Sequence, residues 1–281
     1  MDGARLFTRD LGAGRPIVVL HGGPDFDHTY FLPELDLLAD SFRLVYYDQR
    51  GRGRSAEGVR PEHVTLESEL EDLDAVRRHL GSETIALLGH SWGGVPAMAY
   101  AGRHPDRVSH VILMNTAPSS YEDRLLLSRF WTSRRSPADM EAMAALAATD
   151  AFRQGDIATE AAYYRLHYKP ALYRAEHVDE VVGRLRVHFT PETILLARAI
   201  EDRLYEETWR REDFDLLAGL LELDVPTLVL HGEHDFVPLA VAEHVVAAIP
   251  GARLRVLPRC GHFSYLEAPD EVRQELAALF L

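Results

Sequence analysis

The stretch Thr84-Ile85-Ala86-Leu87-Leu88-Gly89-His90-Ser91-Trp92-Gly93-Gly94 decides the fold. A short apolar run suited to a buried strand leads directly into a serine with glycines two residues before and two after it. Behind it, Val95-Pro96-Ala97-Met98-Ala99-Tyr100 is able to form a helix. Strand, sharp turn and helix in that order make a nucleophile elbow: the serine stands exposed on a strained backbone, and larger residues at the glycine positions would clash. A bare Gly-x-Ser-x-Gly also arises by chance in glycine-rich turns, so the strand before and the helix after give the motif its meaning.

Working outward, short apolar runs alternate with helix-like ones across residues 1–118, the pattern of a mainly parallel sheet flanked by crossover helices. Strands are predicted at 17–20, 43–47, 84–88 and 109–114. Between the second and third, Leu66, Leu70, Leu73, Val76 and Leu80 recur at helical spacing, and Gly81 supplies a stop. From 119 to 223 the strand-like runs give way to Arg, Glu, Ala, Leu and Tyr in helix-forming order, punctuated by Pro137, Pro170 and Pro191. Strands resume at 226–231 and 252–257, and Pro269-Asp270-Glu271 opens a last helix. The expected organisation is an α/β core of 1–118 and 224–281 with a helical insertion at 119–223.

Composition narrows the function classes. With 47% hydrophobic residues in 281, the chain can bury a large core. Thirty Lys plus Arg against 44 Asp plus Glu give a formal charge of −14, which argues against nucleic acid as a partner and fits either a solvated acidic surface or a field that draws cationic substrates. No N-terminal basic-then-apolar segment and no bilayer-length apolar run are found, so the expectation is a cytoplasmic protein without a membrane partner. A single cysteine, Cys260, excludes an intrachain disulfide and reads as a packed residue.

A serine hydroxyl needs a general base, itself oriented by an acid. Gly232-Glu233-His234-Asp235 follows the strand at 226–231, and Arg259-Cys260-Gly261-His262 follows the strand at 252–257. Sites in open α/β sheets gather at the carboxyl ends of strands, so Ser91, Asp235 and His262 can converge there, in the chain order of an α/β-hydrolase. Glu233 and His234 are the competing acid and base. Two backbone N–H groups must face the oxyanion: Trp92, directly after the nucleophile, and Gly23 in His21-Gly22-Gly23-Pro24, with Gly22 the near alternative. Asp48-Gln49-Arg50-Gly51-Arg52-Gly53-Arg54-Ser55 lacks the Gly-Lys-Ser/Thr ending of a phosphate loop and reads as structural, with Asp48 and Arg50 expected to pair. His231, His234, Asp235, Cys260 and His262 include zinc-binding types, but no paired metal motif is present and a zinc site would leave the elbow unexplained. No metal is expected.

On His21-Gly-Gly-Pro24, Asp48-Gln-Arg-Gly-Arg-Gly-Arg-Ser55 and Gly89-His-Ser-Trp-Gly-Gly94, the chain resembles the α/β-hydrolase superfamily over essentially its whole length. Within that superfamily it is similar to the proline iminopeptidase (prolyl aminopeptidase) family of serine peptidases. The resemblance implies the α/β-hydrolase fold, a helical cap over the triad, no metal or organic cofactor, and release of an N-terminal residue, preferentially proline, from short peptides.

Two departures bear on substrate. The family usually reads His-Gly-Gly-Pro-Gly, whereas here Asp25 follows Pro24. It also holds the substrate's amino group with glutamates. Ala199-Ile200-Glu201-Asp202 is similar to the cap segment that bears one, making Glu201 the candidate amine ligand, but Phe236 stands directly after Asp235 where some members carry another. Either Asp25, Asp27 or Glu201 completes an amine site, or Phe236, Trp92, Phe26, Tyr163, Tyr164 and Tyr168 line an apolar pocket and the protein is a carboxylesterase. A reading of a different class is a ligand receptor that keeps the fold without turnover.

Overall fold

The computed structural model describes residues 4–281. Seven strands form one sheet: β1 (Thr8–Leu11), β2 (Pro16–Leu20), β3 (Arg43–Tyr47), β4 (Ile85–His90), β5 (Val108–Met114), β6 (Thr227–Gly232) and β7 (Arg253–Leu257). Their spatial order is β1-β3-β2-β4-β5-β6-β7, with β1 antiparallel to β3 and every other neighbouring pair parallel.

Burial on both faces explains the uninterrupted apolar strands, because helices cover each side of a parallel sheet. All five residues of β2 are buried. On one face Ile17, Val19, Ala86, Leu88, Ile112 and Leu230 pack with residues of the C-terminal segment such as Val272 and Leu276. On the other, Val18, Leu20, Leu87, Leu113 and Val229 meet Leu70, Leu73, Ala97, Met98 and Val245. These last come from α1 (Leu66–His79), α2 (Gly94–Arg103) and, after the insertion, the helix of residues 239–248. The expected strands are all present, within one or two residues at their ends. The strand missed from sequence, β1, lies at the sheet edge, alternates exposed with half-buried residues and so offers no apolar run.

Between β5 and β6 the chain forms α3 (Tyr121–Ser133), α4 (Pro137–Ala147), α5 (Asp150–Arg153), α6 (Ile157–Tyr168), α7 (Val178–Arg184) and α8 (Pro191–Glu207). Ser120, Ser136, Thr149, Asp156 and Thr190 each cap the following helix by accepting a backbone N–H. Pro137 and Pro191 start helices, and Pro170 lies just beyond α6. The two ends of this segment meet: Leu216 N–H donates to Ser119 O at 2.9 Å and Tyr121 N–H to Phe214 O at 2.8 Å. After β6 come α9 (Leu239–Ala248), α10 (Ser264–Glu267) and α11 (Pro269–Leu279), the last opened by Pro269 as its sequence indicates.

Candidate active site

The turn between β4 and α2 is as tight as the sequence requires. Ser91 has φ 53°, outside the range most non-glycine residues adopt. A Cβ on Gly89 would lie 2.5 Å from Gly93 O, and one on Gly93 would lie 2.2 Å from Leu20 O. Neither position accepts a side chain, which leaves the partly exposed Ser91 at the floor of a cavity of about 540 Å³.

Loops from three strand ends converge there. After β6, Asp235 accepts His262 Nδ1–H at 2.9 Å and the Val237 N–H at 2.9 Å on Oδ1. Its Oδ2 accepts Asn115 Nδ2–H at 2.8 Å, from the residue directly after β5. Burial alone would raise the Asp235 pKa, but the charge and hydrogen bond of His262, with His231 and the Val237 N–H, hold it at about 2. Asp235 therefore stays ionised. Glu233, the competing acid, is exposed and accepts Arg259 N–H, and His234 is half-buried beside it. No hydrogen bond joins Ser91 Oγ to His262 among the described residues; such bonds commonly tighten only when substrate is present.

The loop after β2, the candidate oxyanion loop, distinguishes its two glycines. Gly22 N–H is consumed by Tyr30 Oη at 2.7 Å, whereas Gly23 N–H donates to nothing among the described residues and Gly23 lines the cavity. Gly23 has φ +118°, and a Cβ there would lie 2.2 Å from Asp25 N, so only glycine fits. Trp92 is the second residue of the turn opened by Ser91, and its N–H is one of the first-turn donors a helix leaves unpaired.

A buried relay joins these loops, and sequence reasoning missed it. His90 is held neutral, its pKa lowered to about 3 by burial and then by the nearby His262. Its Nε2–H donates to His262 O at 2.9 Å, so Nδ1 accepts from Tyr30 Oη at 2.8 Å, which in turn accepts Gly22 N–H. The elbow, the loop after β2 and the His262 loop are thereby fixed to one another. Asn115 was missed as well. Its only sequence signal is a polar residue directly after an apolar strand.

Helical spacing supplies the rest of the cavity wall. Arg198, Glu201, Asp202 and Tyr205 face it from α8, Tyr163, Tyr164, His167 and Tyr168 from α6, and Arg124, Leu127, Ser128 and Trp131 from α3. Glu201 accepts Tyr205 Oη–H at 2.8 Å and forms no ion pair among the described residues. Burial, then the negative charge of Asp25, raises its pKa to about 8.

The other candidate carboxylates are placed differently. Asp25 lines the cavity but is bound to Arg186 at 2.6 Å and accepts from Tyr164 Oη at 3.0 Å. Arg186 also pairs with Glu160, as does Arg198. Two arginines thus balance Asp25 and Glu160, and neither of these two carboxylates has charge left over for an ammonium. Asp27 is buried away from the cavity, capping a short turn through Thr29. Asp48 takes His28 Nδ1 at 2.6 Å and Arg54 N–H at 2.9 Å, while Arg50 pairs with Asp72 at 2.6 Å, so the expected Asp48–Arg50 partnership is replaced by these.

Phe26, Tyr163, Tyr164, Tyr168 and Phe236 line the cavity as expected. The Trp92 ring does not: it is buried under Trp209 and Tyr205, at centroid distances of 5.0 and 5.7 Å. Cys260 is buried and its thiol pKa is pushed up by that burial. Asp27, His28 and Asp48 form a buried cluster of metal-ligating types, in which His28 Nδ1 bonds Asp48 while His28 Nε2 and Asp27 Oδ2 have no partner among the described residues.

Elbow, strand-end loops and sheet order define a class. A family model described as alpha/beta hydrolase fold matches residues 15–269, and the chain belongs to that family. It is an enzyme of the serine hydrolase type. Within the family it is 31% identical over 284 aligned positions to a proline iminopeptidase of Lactobacillus helveticus, covering 91% of this chain and 86% of that one. Among solved structures, a proline iminopeptidase of Mycobacterium smegmatis matches with TM-score 0.72 at 22% identity over 99% of this chain and 94% of that one, a likeness of fold. A thermophilic esterase from Thermogutta terrifontis matches with TM-score 0.66 at 27% identity over 98% and 92%. No helix among the described residues is long and apolar enough to cross a membrane.

Proposed function

We propose that the protein is a serine aminopeptidase of the proline iminopeptidase kind, releasing N-terminal proline or another small residue from short peptides or amides through an acyl-enzyme. Residues 119–223 act as a cap over residues 1–118 and 224–281. Ser91 Oγ attacks the scissile carbonyl and His262 takes its proton. Asp235 holds the ring in the tautomer with Nδ1–H and stabilises the imidazolium. The N–H groups of Gly23 and Trp92 receive the oxyanion. His262 then protonates the leaving amine, and water repeats the sequence on the acyl-enzyme.

The observation that carries the peptidase reading is Glu201, a carboxylate without a cationic partner in the cavity that Ser91 opens into. A buried carboxylate and a buried ammonium each lose hydration that the other restores. Asp25 contributes negative potential, but its charge is committed to Arg186. Phe236 supports the second reading, a carboxylesterase for small or aromatic esters: its ring packs 3.7 Å from that of Trp131 and 4.3 Å from that of His262, an apolar wall beside the base.

Glu201→Gln separates the two. On the peptidase reading it lowers kcat/KM for a free-amine anilide by about tenfold to a hundredfold, the range of a charge-assisted hydrogen bond, and spares the N-acetylated anilide. Equal losses on both would remove Glu201 from amine recognition.

A further inference from the structure

We infer that Arg135 is the binding site for a carboxylate carried on the leaving-group side of the substrate. Three arginines line the cavity. Arg198 is neutralised by Glu160, whereas Arg124 and Arg135 form no ion pair among the described residues. In a chain with 44 Asp and Glu against 30 Lys and Arg, cations without carboxylate partners in a concave site invite an anionic ligand.

Arg135 is the better placed of the two. Its guanidinium lies 4.2 Å over the Trp131 ring, Trp131 meets Phe236 at 3.7 Å, and Phe236 meets His262 at 4.3 Å. This aromatic ladder sets Arg135 on the Phe236 wall of the cavity, the wall that leads to His262, which on the proposed mechanism protonates the leaving group. Arg124 lies instead 5.8 Å over Trp209, whose ring stacks on Tyr205, the partner of Glu201.

The surroundings of Arg135 leave its charge uncompensated. His167 Nδ1 accepts from it at 2.9 Å, but that ring is neutral, its pKa lowered to about 3 by burial and then by Arg135 and His262. The Arg135 Nε–H is buried and without a partner among the described residues. A carboxylate restores the hydration lost on burial and accepts through the planar fork of donors that guanidinium presents.

Taken with the peptidase reading, on which the identity of the substrate rests, this makes the preferred substrate a short peptide with both termini charged: amine at Glu201, scissile carbonyl at Ser91, free carboxylate at Arg135. The test compares acids with their neutral amides. Prolylglycine and prolylglycinamide form one pair, and 4-acetoxybenzoate and 4-acetoxybenzamide, which lack an amine, form the other.

In Arg135→Gln the acid-to-amide ratio of kcat/KM should fall about tenfold or more in every pair that the wild type cleaves. Arg124→Gln should keep the wild-type ratio, and Glu201→Gln should lower both prolyl substrates together. A ratio in Arg135→Gln equal to that of the wild type overturns the inference, as does a collapse of the ratio in Arg124→Gln alone. Failure of the wild type to cleave either prolyl compound would count against the peptidase reading, and the ratio within the ester pair would then decide the role of Arg135 by itself.

Discussion

Asn115 Nδ2 donates to Asp235 Oδ2 at 2.8 Å, the carboxylate oxygen that His262 leaves unused. Asn115 is itself fixed: its Oδ1 accepts Ser264 Oγ–H at 2.6 Å and its Nδ2 also reaches Gly261 O at 3.0 Å. Asp235 is thus clamped from the residue after β5 and from the loop that carries His262, and the direction of its lone pairs toward His262 is set by Asn115.

Replacing Asn115 with Ala leaves a buried carboxylate oxygen short of a donor and loosens the His262 ring. The expected outcome is a loss of about tenfold to a hundredfold in kcat. Asp235→Asn, which favours the wrong tautomer, should lose about 10⁴-fold. Steady-state kinetics on any turned-over ester checks both, and an Asn115→Ala enzyme at wild-type rate would show that the clamp is dispensable.

Arg186 sits buried among Asp25, Glu160 and Tyr164. Arg186→Met strands Asp25 in a low-dielectric site and leaves Glu160 with Arg198 as its one cation, so unfolding free energy should fall by about 3–5 kcal/mol. Urea denaturation measures it. A change below about 1 kcal/mol, the scale of an exposed pair, would mean that water reaches and screens the network.

Glu201 gives a stability signature with a definite sign. Its folded pKa of about 8 lies above the ordinary 4.5, so the folded state holds this proton more tightly than the unfolded chain. The resulting stabilisation is complete below pH 4.5 and is lost as pH rises through about 8. Glu201→Gln removes that dependence, and its Tm should fall less than that of the wild type between pH 5 and pH 9. Parallel Tm profiles would place the Glu201 pKa near its ordinary value.

Much of this architecture is legible in the sequence alone. Glycines that exclude a Cβ, apolar runs buried on both faces and prolines at helix starts are local signals, and they place six of the seven strands and the helices between β5 and β6. Contacts between distant segments are not legible. Nothing near Asp25 in sequence announces Arg186, 161 positions away, and nothing near Ser91 announces that Tyr30 and His90 share a hydrogen bond. The Trp92 ring illustrates the limit: adjacency to the nucleophile suggests pocket lining, but helical geometry after the elbow turns it under Trp209.

The most direct measurement is kcat/KM for proline p-nitroanilide beside a short-chain p-nitrophenyl ester, each with Ser91→Ala as control. The predicted result is anilide cleavage above about 10⁴ M⁻¹s⁻¹, within the usual range for an enzyme on a proper substrate, and its loss in Ser91→Ala. Ester turnover with negligible anilide cleavage would contradict the peptidase reading and make the aromatic wall around Phe236, rather than Glu201, the feature that selects substrate.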